Sequence, residues 1–195
     1  MVASANPDKA AEIAAILSEE LGGGLELVAR PAWVSEVDET GGTLEENARL
    51  KALALVAATG ETSIADDTGL EVDALGGAPG VRTARFAGAR ASYVDNVTKL
   101  LEVLSDVSDR RARFRTVVVC CFPDGSEVVG EGSVSGVIAA SPRGTEGFGY
   151  DPVFVPDGAR GRTFAEMTAT EKHRLSHRGV ALRNLAAKLR VAEGG

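Results

Sequence analysis

Arg113-Phe114-Arg115-Thr116-Val117-Val118-Val119-Cys120-Cys121-Phe122, then Pro123-Asp124-Gly125, then Glu127–Ile138, is the stretch that decides the fold of this 195-residue chain. Two β-prone runs flank a turn of proline, aspartate and glycine, which predicts a long β-hairpin. Before it, Ser92 caps a helix with Val94, Val97, Leu101 and Leu104 on one face. Further back, Thr43-Leu44-Glu45-Glu46 is a capping box that opens a helix carrying Leu44, Ala48, Leu55 and Ala58 and stopping at Gly60. Asn6-Pro7 opens the first helix, with Ile13, Ile16, Leu17 and Leu21 at helical spacing, ended by Gly22-Gly23-Gly24. Val2–Ser4, Leu25–Arg30, Thr62–Ala65 and Val153–Val155 read as short strands, and a final helix runs from about Ser176 to Arg190. Strands alternating with helices, plus one hairpin, predict an α/β domain with a mixed sheet. At roughly 100–200 residues per domain, residues 1–195 form a single domain.

Composition narrows the function. Apolar residues make up 44% and charged residues 25%, which is globular and not disordered. The net charge of −7 argues against a surface that coats a nucleic-acid polymer. The longest strongly apolar run, Val117–Phe122, is far shorter than the roughly 18 residues of a membrane span. Met1 leads into no basic and apolar leader, so the cytoplasm is the expected compartment. Cys120 and Cys121 are adjacent within the apolar run and read as buried reduced thiols. The two histidines, His173 and His177, make no zinc spacing with them.

Five segments carry chemistry-bearing residues. Asp66-Asp67-Thr68-Gly69 falls where the strand Thr62–Ala65 ends, the place where α/β folds bind ligands. Adjacent strand residues point oppositely, so one carboxylate is free to hold Mg²⁺ or serve as general base; a plain Asp-rich turn is the other reading. Glu39 has no capping duty and is the better additional ligand, whereas Glu46 has a helix terminus to satisfy. Ser4-Ala5-Asn6-Pro7-Asp8-Lys9 is either an ordinary capped helix start or one whose N–H groups attract phosphate. Gly147-Phe148-Gly149-Tyr150-Asp151-Pro152 places two of the chain's few aromatic residues in a loop, either stacking on a nucleobase or plugging the core. Lys172 and Ser176-His177-Arg178-Gly179 supply hydrogen-bond donors around the last helix start.

In their order and combination these segments, with Glu39-Thr40-Gly41-Gly42-Thr43-Leu44-Glu45-Glu46-Asn47-Ala48, Lys51 and Gly76-Gly77-Ala78-Pro79-Gly80, resemble the inosine triphosphate pyrophosphatase family from Ser4 to about Leu189. The resemblance implies an elongated α/β domain of two lobes around a long mixed sheet, with the site in the cleft between them. It implies a homodimer that hydrolyses ITP, dITP and XTP to monophosphate and pyrophosphate with Mg²⁺. By matching position, Ser4, Ala5, Asn6, Pro7, Asp8 and Lys9 hold phosphates, and Glu39 and Asp67 bind the metal. Asp67 is also the proton acceptor, and Thr68, which stands where serine is commoner, touches substrate. Phe148, Gly149, Tyr150, Asp151, Lys172, His177 and Arg178 line the base and sugar end. Arg178 or His177 would then donate to the purine 6-oxo group, leaving a donor unpaired against adenine at about 1–3 kcal/mol. The competing readings are a Maf-type nucleotide pyrophosphatase of other base preference, and a nucleotide-binding module without turnover.

Overall fold

A computed structural model describes residues 1–4, 6–22 and 26–193 of the chain. Helix α1 spans Pro7–Leu21, with Asn6 as N-cap and Pro7 in the first position. Helix α2 spans Leu44–Thr59 behind the Thr43/Glu46 capping box, and α3 spans Tyr93–Val103 behind a second box of Ser92 and Asp95. Strand β1 is Ser63–Val72, β2 Pro79–Gly80, β3 Arg111–Cys121, β4 Glu127–Ile138 and β5 Phe154–Pro156. Helices α4, Ala169–Leu175, and α5, His177–Glu193, follow. The class is α/β, as expected.

The strands form one five-stranded sheet in the order β2-β1-β3-β4-β5. Pairing is antiparallel at β1–β2, with Leu70 opposite Gly80, and at β4–β5, with Val137 opposite Val155. Parallel character comes from Val2, which bridges to both Ala29 and Ile64. The expected strands Val2–Ser4 and Leu25–Arg30 therefore shrink to single bridge residues; Ala5, Gly23, Gly24 and Leu25 lie outside the described residues. The hairpin turn closes with Gly125 at φ +87° and Asp124 Oδ1 accepting from the Ser126 amide.

A larger correction concerns β1. It does not end before the aspartates but runs through them to Val72. A buried strand tolerates Asp66 and Asp67 because cations meet them, as described below. A second concerns α3, where Val94 is 73% exposed while Leu100 is fully buried, so the core face is rotated from the expected one. The third is α4, a seven-residue helix with its own capping box of Thr168 and Glu171, which places Lys172 inside a helix rather than in the approach to the last one.

The chain divides into two compact units built of interleaved segments: Met1–Asp67, Thr116–Gly132 and His177–Gly195 in the first, and Thr68–Arg115 and Ser133–Ser176 in the second. The core of the first unit gathers Ile13, Leu17, Ile64, Val118, Leu182 and Leu185. That of the second gathers Leu70, Leu100, Phe114, Tyr150, Phe154 and Phe164. Each such fully buried aliphatic side chain contributes about 1.5–3 kcal/mol. Cys120 and Cys121 are buried and free, and burial with Cys121 alongside pushes the Cys120 thiol up to about 12, so it stays protonated and inert.

In the first unit β4 turns two glycines toward α5. A Cβ on Gly132 would overlap the His177 carbonyl oxygen and the Ala181 amide, and one on Gly130 would overlap the Ala181 carbonyl. The helix start that carries His177 and Arg178 thus rests directly on strand backbone. Gly132→Ala is expected to destabilise the protein by about 1–3 kcal/mol and to lower kcat/KM by displacing that helix start. An unchanged urea midpoint for this variant would contradict the close approach.

Candidate active site

In the first unit, α1, α2, β1 and α5 bring a set of charges together. Glu39, half-buried in the segment before α2, receives a hydrogen bond from Lys51 Nζ at 3.1 Å. The same ammonium donates to Asp67 Oδ1 at 3.0 Å. Lys51 sits one turn after Asn47 on α2. Asn47 is fully buried and donates to Asp67 Oδ2 at 3.4 Å, while its own Oδ1 accepts from the Gly41 amide at 2.8 Å. One helix face therefore ties the Glu39 segment and the β1 aspartate to each other.

On β1 the neighbouring Asp66 receives the guanidinium of Arg178, from Nε at 3.2 Å and Nη2 at 3.1 Å. Arg178 Nη1 donates to Glu12 Oε2 at 2.5 Å, and Lys9 Nζ lies 3.6 Å from Asp66. The two aspartates thus serve different partners, as strand alternation demands. Asp67 faces Lys51 and Asn47; Asp66 faces Arg178 and Lys9. Burial raises the Asp66 carboxyl, but the charges of Lys9, Arg178 and Lys51 outweigh it and hold the group far below its ordinary 3.8. Burial raises Asp67 and keeps it above the usual carboxylate value despite Lys51 and Lys9. For Lys51, burial is the largest single influence and lowers it, yet Asp67, Asp66 and Glu39 together leave it raised. Lys9 is lowered, mainly by burial.

Asp66 gives a stability prediction with a definite sign. Its folded pKa is depressed, so the stability it contributes is complete above 3.8 and drains away as the pH falls below that value. The thermal midpoint should drop steeply between about pH 4 and about pH 2.5, and the drop should be shallower in Asp66→Asn. Equal slopes for both proteins would show that Asp66 is not the group responsible.

Several expected site residues turn out to be engaged. Asn6 Oδ1 already accepts from the amides of Asp8 at 3.0 Å and Lys9 at 3.3 Å, and Ser4 Oγ accepts from the Asn6 amide. Those helix N–H groups are capped rather than presented to a ligand; Pro7 and Asp8 are exposed. Arg178, 2% exposed, has each of its three nitrogens donating to Asp66 or Glu12, so the guanidinium is held as a brace rather than offered as a reader of a base. His177 shares a hydrogen bond of 2.6 Å between Nδ1 and Thr116 Oγ1.

The remaining candidates belong to the second unit. Lys172 Nζ donates to Asp151 Oδ2 at 2.6 Å, and the Phe148 amide donates to the same oxygen at 2.8 Å. The ammonium also lies 4.6 Å from the centre of the Phe148 ring. Gly149 is half-buried, as is Thr68 on β1. Of the two loop aromatics, Tyr150 took the core role: it is 4% exposed and its hydroxyl donates to the Thr83 carbonyl at 3.0 Å. Phe148 remains half-buried. Asp151 is buried and shapes the loop through Lys172 and the Phe148 amide.

Sequence reasoning gave no role to Lys51, Asn47, Glu12 or Thr116. For the first two a signal existed, since Asn47 and Lys51 are four residues apart and share a helix face. Glu12 beside apolar Ile13 was a weaker one, and Thr116 inside a valine run offered none.

Chemically, the first unit presents two carboxylates converging on one cation, flanked by a lysine and a helix start. No group of three or more metal-ligating His, Cys, Asp or Glu side chains occurs among the described residues. Two carboxylates fit a hard divalent ion that keeps most of its waters.

Known proteins resemble this chain along almost its whole length. The chain is 48% identical over 192 residues to the dITP/XTP pyrophosphatase of Mycolicibacterium paratuberculosis, covering 97% of this chain and 94% of that one. It is 44% identical over 191 residues to the enzyme of the same name from Bacillus licheniformis, covering 97% and 96%. A Ham1 protein structure from Coxiella burnetii superposes with a TM-score of 0.86 at 37% identity, covering 97% of each chain. With a model of the Ham1 family matching residues 1–188 as well, the chain belongs to that family.

Proposed function

We propose that this protein is a nucleoside-triphosphate pyrophosphatase that hydrolyses non-standard purine triphosphates, ITP, dITP and XTP, to the monophosphate and pyrophosphate. The observation that carries the reading is the single ammonium of Lys51 bridging Glu39 and Asp67 beside the cations Lys9 and Arg178. Glu39 and Asp67 are the residues that would hold Mg²⁺, which supplies charge neutralisation to the triphosphate. Lys9, at the start of α1, offsets phosphate charge with help from the helix dipole. Asp67, oriented by Asn47 and Lys51, accepts the proton of the attacking water. Attack falls on the α-phosphorus, so the P–O bond to the leaving pyrophosphate breaks. Water is the nucleophile, and burial pushes both thiols above their ordinary pKa and away from that role.

In the second unit, Phe148 is proposed as the ring that meets the purine, and the Lys172–Asp151 pair as the support that fixes its loop. Discrimination against adenine then rests on a donor to the 6-oxo group, for which His177 remains the candidate. The same reading makes the enzyme a cytoplasmic homodimer. No described helix is long and apolar enough to cross a membrane.

Pyrophosphate release measured across ITP, XTP, dITP, ATP, GTP, CTP and UTP tests the proposal. ITP, XTP and dITP should exceed ATP by at least about tenfold in kcat/KM, and a chelator should abolish release. Preference for a pyrimidine triphosphate would favour the Maf-type alternative, and release from none would leave a binding module. Light scattering at about 40 kDa would support the dimer.

A further inference from the structure

Tyr93 is a partly exposed aromatic residue at the start of a helix. It opens α3, and its backbone is fixed by the Ser92 cap, where the Asp95 amide donates to Ser92 Oγ at 3.1 Å and Asp95 Oδ2 accepts from the Ser92 amide at 2.8 Å. Helix α3 anchors in the core of the second unit through Val97 and Leu100, yet the Tyr93 side chain stays 43% exposed. What it meets is Phe148: the ring centres lie 6.0 Å apart with planes inclined by 35°. Rings at this separation are within the range where aromatic pairs attract one another.

Three contacts bear on Phe148 and its loop. Its amide donates to Asp151, the Lys172 ammonium lies against its ring, and Tyr93 meets that ring. The first two belong to one ion pair and fix the loop. Tyr93 comes from a different element and acts on the ring alone. A half-buried phenylalanine on a glycine-flanked loop would otherwise exchange rotamers, and a base would have to freeze that motion on binding.

We infer that Tyr93 is a positioning residue of the nucleobase subsite: its ring holds the Phe148 ring in the orientation that a purine meets. The inference rests on the reading of Phe148 as the base-contacting ring. The aromatic ring is the acting group, and the hydroxyl is dispensable. The effect therefore appears in affinity for the base-bearing part of the substrate and not in affinity for its phosphates.

Calorimetric titration of wild type, Tyr93→Ala, Tyr93→Phe and Phe148→Ala with inosine monophosphate, and separately with inorganic pyrophosphate and Mg²⁺, tests it. Tyr93→Ala should weaken inosine monophosphate about 3–10-fold and leave pyrophosphate affinity as it is, and Tyr93→Phe should restore wild-type binding. KM for ITP should rise in Tyr93→Ala by a larger factor than kcat falls. If Phe148→Ala loses affinity for the monophosphate while Tyr93→Ala does not, the role of Tyr93 is overturned and the base site stands. If Phe148→Ala binds the monophosphate as wild type does, the base-site reading falls and takes this inference with it. Equal weakening of both ligands in Tyr93→Ala, or loss in Tyr93→Phe, would also overturn it.

Discussion

Asp67→Asn lowers kcat for ITP by about 10²–10⁴-fold while the protein stays folded. The substitution keeps the shape and an oxygen to accept from Lys51, and removes the charge, the proton-accepting capacity and the acceptor of the long bond from Asn47. Lys51 retains Glu39 as a partner at 3.1 Å, so its ammonium is not stranded. The Lys51 side chain is also 16% exposed, which lets water share the load. Far-UV circular dichroism and the thermal midpoint should therefore stay close to wild type, and KM should change far less than kcat. Asparagine beside a base can deamidate, so the sample is to be checked by mass spectrometry. Turnover near the wild-type rate in an intact asparagine variant would remove Asp67 from the chemistry, and with it the proposed mechanism.

The second large effect concerns stability. Arg178→Ala takes away a fully buried guanidinium that serves Asp66 and Glu12 together. Asp66, almost wholly shielded from water, would be left with Lys9 at 3.6 Å as its named partner. Breaking a buried pair by removing one member costs about 3–5 kcal/mol, because the survivor keeps its desolvation penalty. Chemical denaturation should show that loss for Arg178→Ala, and a smaller one for the double variant Arg178→Met/Asp66→Asn, in which the carboxylate that Arg178 offset on β1 is no longer charged. If the single variant unfolds at the wild-type denaturant concentration, the guanidinium is no brace and is free to act on substrate.

Most of the architecture was readable because it is written in local chemistry. Caps at Asn6, Thr43 and Ser92 are short-range hydrogen bonds, and the hairpin turn is a matter of three residues. Strand β1 was misjudged for the opposite reason. Two adjacent aspartates look like the end of a buried strand until their counter-ions are known, and those come from residues 9, 51 and 178, far away in sequence. Helix α4 is too short for periodicity to show. The acidic half of the candidate site was legible as residue types: Glu39 and Asp67 do converge. The commitments of Arg178, Tyr150 and Asn6 were not, since whether a donor is spare or spent depends on contacts that only the folded chain makes.

The lysine between Glu39 and Asp67 has one more consequence. Two acids brought close would repel each other in a nascent polypeptide that has not yet met a divalent ion. Here an internal ammonium stands in for that ion from the outset. On the proposed reading, in which these two acids hold Mg²⁺, loading would exchange one positive group for another rather than be an event on which folding waits.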